Sequence, residues 1–324
     1  MAAIQTSGLT KQYGSGVGAV LALEDLDLTV EKGEVFGFLG PNGAGKSTTI
    51  NILLNFIDPT AGSAEVLGHD VQSESKAVRD RTGVLPEGAE VFERLTAREH
   101  IGWVEDAKGV TADAEEILET VGIADAADRK AGSFSKGMQQ RLALGMALVG
   151  DPDLLLLDEP SSGLDPTGMQ EMRELIREQA ASGTTVFFSS HILSEVEAVC
   201  DRVAILSEGK LAIQDSIDNL RDRNDGVASI DLEVETVPDD LGLGGVSGVR
   251  DVTVDSDEIT AVCASPAVKV DVVRYLDQRT TVTDIISEDT SMEELFQRYT
   301  GQSATVADES AETSSEAAEA EVTV

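Results

Sequence analysis

A chain of 324 residues has room for two domains and a sizeable apolar core. Its 60 acidic against 24 basic residues give a formal net charge of -36, a surface that repels nucleic-acid phosphates and argues against a general DNA- or RNA-binding role. No run of about 18 apolar residues occurs, so the chain is not expected to cross a membrane by itself.

The chain begins with a strand-rich stretch. Ile4 and Leu9 lead to the turn Tyr13-Gly14-Ser15-Gly16, and residues 21–30 alternate imperfectly before the turn at Lys32-Gly33. Glu34-Val35-Phe36-Gly37-Phe38-Leu39 is a short apolar run, as a buried parallel strand shows. Gly40-Pro41-Asn42-Gly43-Ala44-Gly45-Lys46-Ser47-Thr48 follows and fits the phosphate-loop pattern G-x-x-x-x-G-K-[ST]. Behind it Ile50, Leu53, Leu54 and Ile57 recur at helical spacing. Strand, glycine loop and helix form the context in which this motif has a mechanism. Glycines let successive N–H groups turn inward around an anion. A helix start adds its positive dipole end, worth up to about 2 kcal/mol for an anion in favourable geometry. Lys46 is expected to reach the β- and γ-phosphates, and the Ser47 hydroxyl to ligate magnesium. A plain glycine turn would need neither of those side chains, so a nucleotide site is predicted.

Further on, Ala64 to Leu67 reads as a strand, and Val78 to Leu85 ends in another, Gly83-Val84-Leu85-Pro86. From about residue 88 to 133 the character is helical, with Thr96 to Ala107 and Thr111 to Val121 amphipathic. His100 and Trp103 in this stretch read as packing residues. Gln139 to Val149 is a helix stopped by Gly150-Asp151-Pro152. Leu154-Leu155-Leu156-Leu157 runs into Asp158-Glu159-Pro160, and a helix from Met169 to Ala181 ends near Gly183. A strand from Thr184 to Phe188 ends at Ser189-Ser190-His191, a helix covers Leu193 to Val199, and Val203 to Leu206 is a last strand before the turn Glu208-Gly209-Lys210. Apolar strands alternating with helices predict a parallel α/β sheet covered on both faces.

After Asn224-Asp225-Gly226 the pattern turns α+β. Ile230, Leu232 and Val234 alternate with Asp231 and Glu233, a half-buried strand. Ser265-Pro266 reads as N-cap and first residue of a helix over Val268 to Leu276. Ser291-Met292-Glu293-Glu294 matches a capping box opening a last helix through Tyr299. From Gly301 the Ala, Glu, Ser and Thr composition predicts a disordered acidic tail. The tail does not account for the charge, because the acids are spread along the whole chain. Self-repulsion on that scale is relieved by salt, which suggests a salt-rich cytoplasm. The two cysteines, Cys200 and Cys263, and the absence of a signal-peptide pattern at Met1-Ala2-Ala3-Ile4 point to a reducing compartment and inert thiols.

A hydrophobic run ending in Asp158-Glu159 is the second nucleotide signal. Asp158, at a strand end, would share the magnesium shell with Ser47, and Glu159 could accept the proton of attacking water. Together these segments resemble the ATP-binding subunit of an ABC transporter over residues 1 to about 222. The resemblance implies a P-loop ATPase core of α/β class with a helical subdomain over about 88–133. A small α+β accessory domain over 223–300 would follow, then the tail 301–324. It also implies roles: Tyr13 stacks on adenine; Gly40 to Thr48 hold phosphate; Asp165 lies in the loop Ser162-Gly163-Leu164-Asp165 that crosses a dimer interface; His191 contacts the γ-phosphate. Phe134-Ser135-Lys136-Gly137-Met138 occupies the place of the signature Leu-Ser-Gly-Gly-Gln, with Lys136 and Met138 as departures. That Ser-Lys-Gly-Met form resembles the exporter branch.

Glu87 stands where the family has a glutamine, and a carboxylate there can ligate magnesium although it cannot donate as an amide does. Ser135 and the amides near Gly137 precede a helix and form a second anion-binding start, which the family uses to close ATP bound on the opposite subunit. The resemblance therefore implies ATP and Mg2+ as ligands, a homodimer or paired ATPase subunit, and a transmembrane permease as partner. No nucleic acid is implied, and the location would be the cytoplasmic face of the membrane. The competing reading is a soluble ATPase of the same fold acting on ribosomes or DNA. The short span between Lys46 and Ser135 and the acidity disfavour it. A pure nucleotide-binding regulator is disfavoured by Glu159.

Overall fold

The computed structural model describes residues 2–16, 18–224, 228–238, 241–256, 258–286 and 296. The chain opens with β1 (Ala2–Tyr13), β2 (Val20–Leu26) and β3 (Thr29–Glu31), then β4 (Val35–Leu39) and α1 (Lys46–Leu53). β5 (Ala61–Val66), β6 (His69–Asp70), α2 (Ser75–Asp80) and β7 (Thr82–Leu85) follow. A helical segment contains α3 (Ala97–Lys108), α4 (Ala114–Thr120) and α5 (Lys136–Leu148). Next come β8 (Leu154–Asp158), α6 (Pro166–Ala181), β9 (Thr185–Ser190), α7 (Leu193–Val199), β10 (Arg202–Ser207), β11 (Lys210–Ser216) and α8 (Ile217–Asn224). The last group is β12 (Ala228–Val234), β13 (Val249–Asp255), β14 (Glu258–Cys263), α9 (Pro266–Asp277) and β15 (Val282–Ile286).

The central sheet has the order β11-β10-β4-β9-β8-β7, parallel throughout except for the antiparallel edge strand β11. Every residue of β4, β8 and β9 is buried, which explains why these strands are unbroken apolar runs without alternation. Phe36 stacks on Phe187 across the β4–β9 pair at 5.9 Å between centroids. The register sets Leu39 beside Ser190 and Asp158 beside Ser189, so the loops after β4, β8 and β9 leave one edge of the sheet side by side. In open α/β sheets this carboxyl edge is where ligands bind.

Gly37 in β4 has a structural reason. A Cβ built there would lie 2.5 Å from Val196 Cγ1 and 2.9 Å from Cys200 Sγ, so α7 rests directly on the strand backbone.

An antiparallel sheet of β1, β2, β3, β5 and β6 forms a second layer, and its core residues Ile4, Leu9, Val30 and Val66 join Phe36 and Phe38 of β4. The helical segment packs Ile101, Leu118, Val121 and Leu142 in one cluster with Leu85 and Leu157 of the sheet. Thr96 opens α3 with a reciprocal capping box: its Oγ1 accepts from Glu99 N–H at 3.2 Å, and Glu99 Oε2 accepts from Thr96 N–H at 2.8 Å. His100 is buried as expected, with Nε2 accepting from Phe92 N–H at 2.9 Å. Trp103 is a correction. It is 50% exposed and makes an edge contact with the equally exposed Phe92 at 5.4 Å, because no described element covers this face of α3.

A third, all-antiparallel sheet, β13-β14-β12-β15, packs α9 on a core of its own containing Ile230, Leu232, Ile259, Val272 and Leu276. The predicted strand over 230–234 is present with its apolar residues inward. Ser265 does precede Pro266 at the start of α9, but its side chain makes no capping bond. α8 continues past residue 222 to Asn224. The predicted last helix and the tail 301–324 lie outside the described residues, save Phe296, which is buried in the same apolar cluster as Ile217 and Leu220. Among the described residues no helix is long and apolar enough to cross a membrane.

Candidate nucleotide site

The phosphate loop joins β4 to α1. Gly43 and Gly45 take φ of 84° and 111°, which an L side chain rarely adopts, and this lets the backbone wrap tightly before the helix. Gly40 is required by contact: a Cβ there would come 2.5 Å from the Leu206 carbonyl oxygen. Thr49 N–H donates to Gly45 O at 2.9 Å, and the first turn of α1 carries no acid, so its dipole end is left for an anion.

Lys46 is buried at this loop. Its Nζ donates to Gly40 O at 2.7 Å and lies 3.1 Å from Glu159 Oε1. The second contact is one of charge, since Oε1 has no aligned hydrogen bond. Glu159 Oε2 is 2.8 Å from His191 Nδ1. An ionised carboxylate only accepts, so the hydrogen of that pair sits on Nδ1. Glu159 itself has φ of 49°, a conformation costly for a residue with a side chain. Two bonds hold it there, both from its N–H: to Ser189 O at 3.2 Å and to Ser189 Oγ at 3.1 Å. The same Ser189 hydroxyl donates to Asp158 Oδ1 at 2.5 Å. One serine at the end of β9 thus fixes both acids at the end of β8.

A cavity of about 320 Å³ is lined by Gly43, Gly45, Lys46, Ser47, Glu87 and Glu159, among others. It brings together the phosphate loop, the predicted base and Glu87. Its oxygen donors, Ser47 and Glu87 with Asp158 at the adjoining strand end, are the type that suits a hard divalent cation. Tyr13 stands apart at the end of β1, 42% exposed, with Lys11 Nζ 5.0 Å from its ring centroid. Its neighbouring strand β2 contributes Ala22 to the phosphate cavity.

Ser135, Gly137 and Asp165 are placed elsewhere. They line a second cavity of about 630 Å³ that shares no residue with the first. Ser135 caps α5, its Oγ accepting from Met138 N–H at 3.3 Å, and Asp165 caps α6 through Gly168 N–H at 2.8 Å. Lys136 reaches across to Gly163, where any side chain would collide with its ammonium. Sequence reasoning did not assign Ser189, Ser190, Ser161 or Glu195, all buried beside Glu159 or His191. Their only trace was the serine pair before His191.

Fold and site together define a P-loop ATPase. The ABC transporter family model matches residues 23–162. The chain is 42% identical over 224 residues to the bacitracin transport ATP-binding protein BcrA of Bacillus licheniformis, covering 68% of this chain and 72% of that one. It is 39% identical to the daunorubicin/doxorubicin resistance ATP-binding protein DrrA of Streptomyces peucetius, covering 68% and 67%. Among solved structures, the ATP-binding subunit of an ABC transporter aligns with a TM-score of 0.60 at 30% identity, over 68% of this chain and 92% of that one. A dimeric ATP-binding cassette in a post-hydrolysis state with ADP and Pi aligns with a TM-score of 0.61 at 25% identity, over 66% and 98%. The chain belongs to the ABC transporter family as an ATP-binding subunit, and its activity is ATP hydrolysis coupled to transport. The soluble alternative is disfavoured by the family match and by the bacitracin transport ATP-binding protein among the relatives.

Proposed function

We propose that this chain powers an export permease as one of a head-to-tail pair, each phosphate cavity being closed by the signature segment of the other subunit. The observation that carries this reading is the separation of the two half-sites: Ser135 and Gly137 line one cavity, Lys46 and Glu159 another, with no residue in common. A signature helix start within the same chain therefore has no phosphate to serve. The export direction is supported by the resistance and transport names of the relatives and by the Ser-Lys-Gly-Met form of residues 135–138.

In this reading Lys46 neutralises the β- and γ-phosphates of ATP, and Tyr13 stacks on the adenine. Glu159 takes the proton of the attacking water. His191 holds Glu159 Oε2, which leaves its other ring nitrogen for the γ-phosphate. Magnesium, held by Ser47 and Asp158 with Glu87 beside them, would supply charge neutralisation at the transferring phosphate. The permease would dock on the helical segment over 88–133, where Phe92 and Trp103 are exposed near the cavity residue Glu87. That places the protein at the cytoplasmic face of the membrane, with no role for nucleic acid. Residues 1–222 form the ATPase domain in this reading, and 223–300 an accessory domain.

The test is Glu159→Gln. With ATP it should dimerise on a sizing column with light scattering, and hydrolysis should fall about 10²–10⁴-fold. A variant that stays monomeric and hydrolyses at the wild-type rate overturns the reading.

A further inference from the structure

We infer that Glu195 positions the hydrolytic pair, tying the loop that follows Glu159 to the turn that carries His191 from behind the site. Glu195 is only 2% exposed, on the first turn of α7. Its Oε2 accepts from Ser190 Oγ at 2.9 Å, and that hydroxyl oxygen in turn accepts from Ile192 N–H at 3.0 Å. Residues 190 and 192 flank His191, so the carboxyl pins the turn on which the histidine stands. Ser190 also receives Gly40 N–H on its carbonyl oxygen at 3.3 Å, which links this turn to the start of the phosphate loop. On the other side Ser161, two residues beyond Glu159 and itself buried, faces the same carboxyl. The loop after β8 and the turn after β9 thus meet at one side chain that touches no substrate.

The protonation of Glu195 follows from its surroundings. Oε1 is buried and makes no aligned hydrogen bond, which disfavours a charge on it. The Ser161 hydroxyl faces the same carboxyl and can donate to its ionised form or accept the O–H of its neutral one. The charged and titratable groups around it are Glu159 from the β8 loop, Arg173 of α6 and the thiol of Cys200 at the end of α7. Burial first, and then the charge of Glu159, hold Glu195 above the usual carboxylate range, against Ser190, Ser161 and Arg173. Over the pH range in which it stays protonated, Glu195 adds no second negative charge beside Glu159 while it fixes the loop.

The inference rests on Glu159 as the base, and steady-state ATPase kinetics on the full chain test both. Displacing a reacting group by about 1 Å can cost about 10²-fold, so Glu195→Ala should lower kcat about 10- to 10²-fold with KM for ATP within about twofold of wild type. Glu195→Gln should recover most of that loss, because its amide reproduces a neutral acid: the oxygen accepts from Ser190 and the NH2 donates to Ser161. The wild-type kcat should decline as pH rises through the raised pKa of Glu195, and Glu195→Gln should lack that decline. Wild-type kcat in Glu195→Ala overturns the inference, as does a Glu195→Gln no better than Glu195→Ala. Should Glu195→Ala fail to fold, Ser161→Ala and Ser190→Ala carry the comparison, and wild-type kcat in both overturns it. Glu159→Gln measured alongside separates the two ideas: if it hydrolyses ATP normally, the base assignment fails whatever Glu195 does.

Discussion

Lys46, Asp158, Glu159 and His191 are each recognisable in the sequence because local spacing marks them: a glycine loop, an apolar run ending in acids, a histidine closing a strand. The residues that hold them carry no such mark. Ser189 reaches Asp158 and Glu159 across about thirty positions of chain, and only the β8–β9 register brings them together. Glu195 looks like one more surface acid on an amphipathic helix until its burial is seen. Its elevated pKa has a consequence for stability. The folded chain keeps a proton on Glu195 at pH values where the unfolded chain, near the ordinary value of 4.5, has lost it. Stability is therefore lost as pH rises from about 4.5 toward the raised value. Glu195→Gln removes that dependence, so the Tm of the variant minus that of wild type should grow as pH rises through this window, measured by scanning calorimetry. A constant difference would mean that Glu195 ionises normally in the folded chain.

At the scale of elements, strands buried on both faces were legible as uninterrupted apolar runs, helices α3 and α4 from their amphipathic pattern, and α5 and α6 from the glycines that stop them. β13 and β15 were not, because they sit at the edges of the third sheet with most of their side chains exposed, and exposure leaves no alternation to read. Thr96 and Glu99 have Thr-x-x-Glu spacing, but geometry establishes the capping box, whose two bonds anchor the first turn of α3. Thr96→Ala should cost about 0.5–2 kcal/mol of unfolding free energy, as caps usually do, measured by urea denaturation with an unchanged slope. Ser265 gives the contrary lesson. Its position before Pro266 has the right composition for a cap, but its side chain does not bond the helix. Residue identity specified the boundary there, and the bond that usually accompanies it is absent.

For the whole molecule the dominant quantity is the net charge of -36. With charges this dense the screening length decides how much repulsion the fold carries, and it falls from about 10 Å at 0.1 M salt to about 3 Å at 1 M. Tm should therefore rise between 0.1 and 1 M KCl, with most of the gain in the lower half of that range. A protein more stable in dilute buffer would show that repulsion is not what limits it.

The bare backbone of Gly37 takes the Val196 and Cys200 side chains directly against it, which makes the strand that feeds the phosphate loop and the helix that follows His191 one lever. Gly37→Ala should cost about 1–3 kcal/mol by forcing that joint apart, and it should slow hydrolysis by tilting His191, although residue 37 is far from any reacting atom in chemical role. Trimming the opposing wall with Val196→Ala should return part of both losses in the double variant, a coupling that independent sites would not show. In a genetic screen such a pair would surface as a defective allele and its suppressor, mapping the joint through which nucleotide chemistry at one loop is felt at the next.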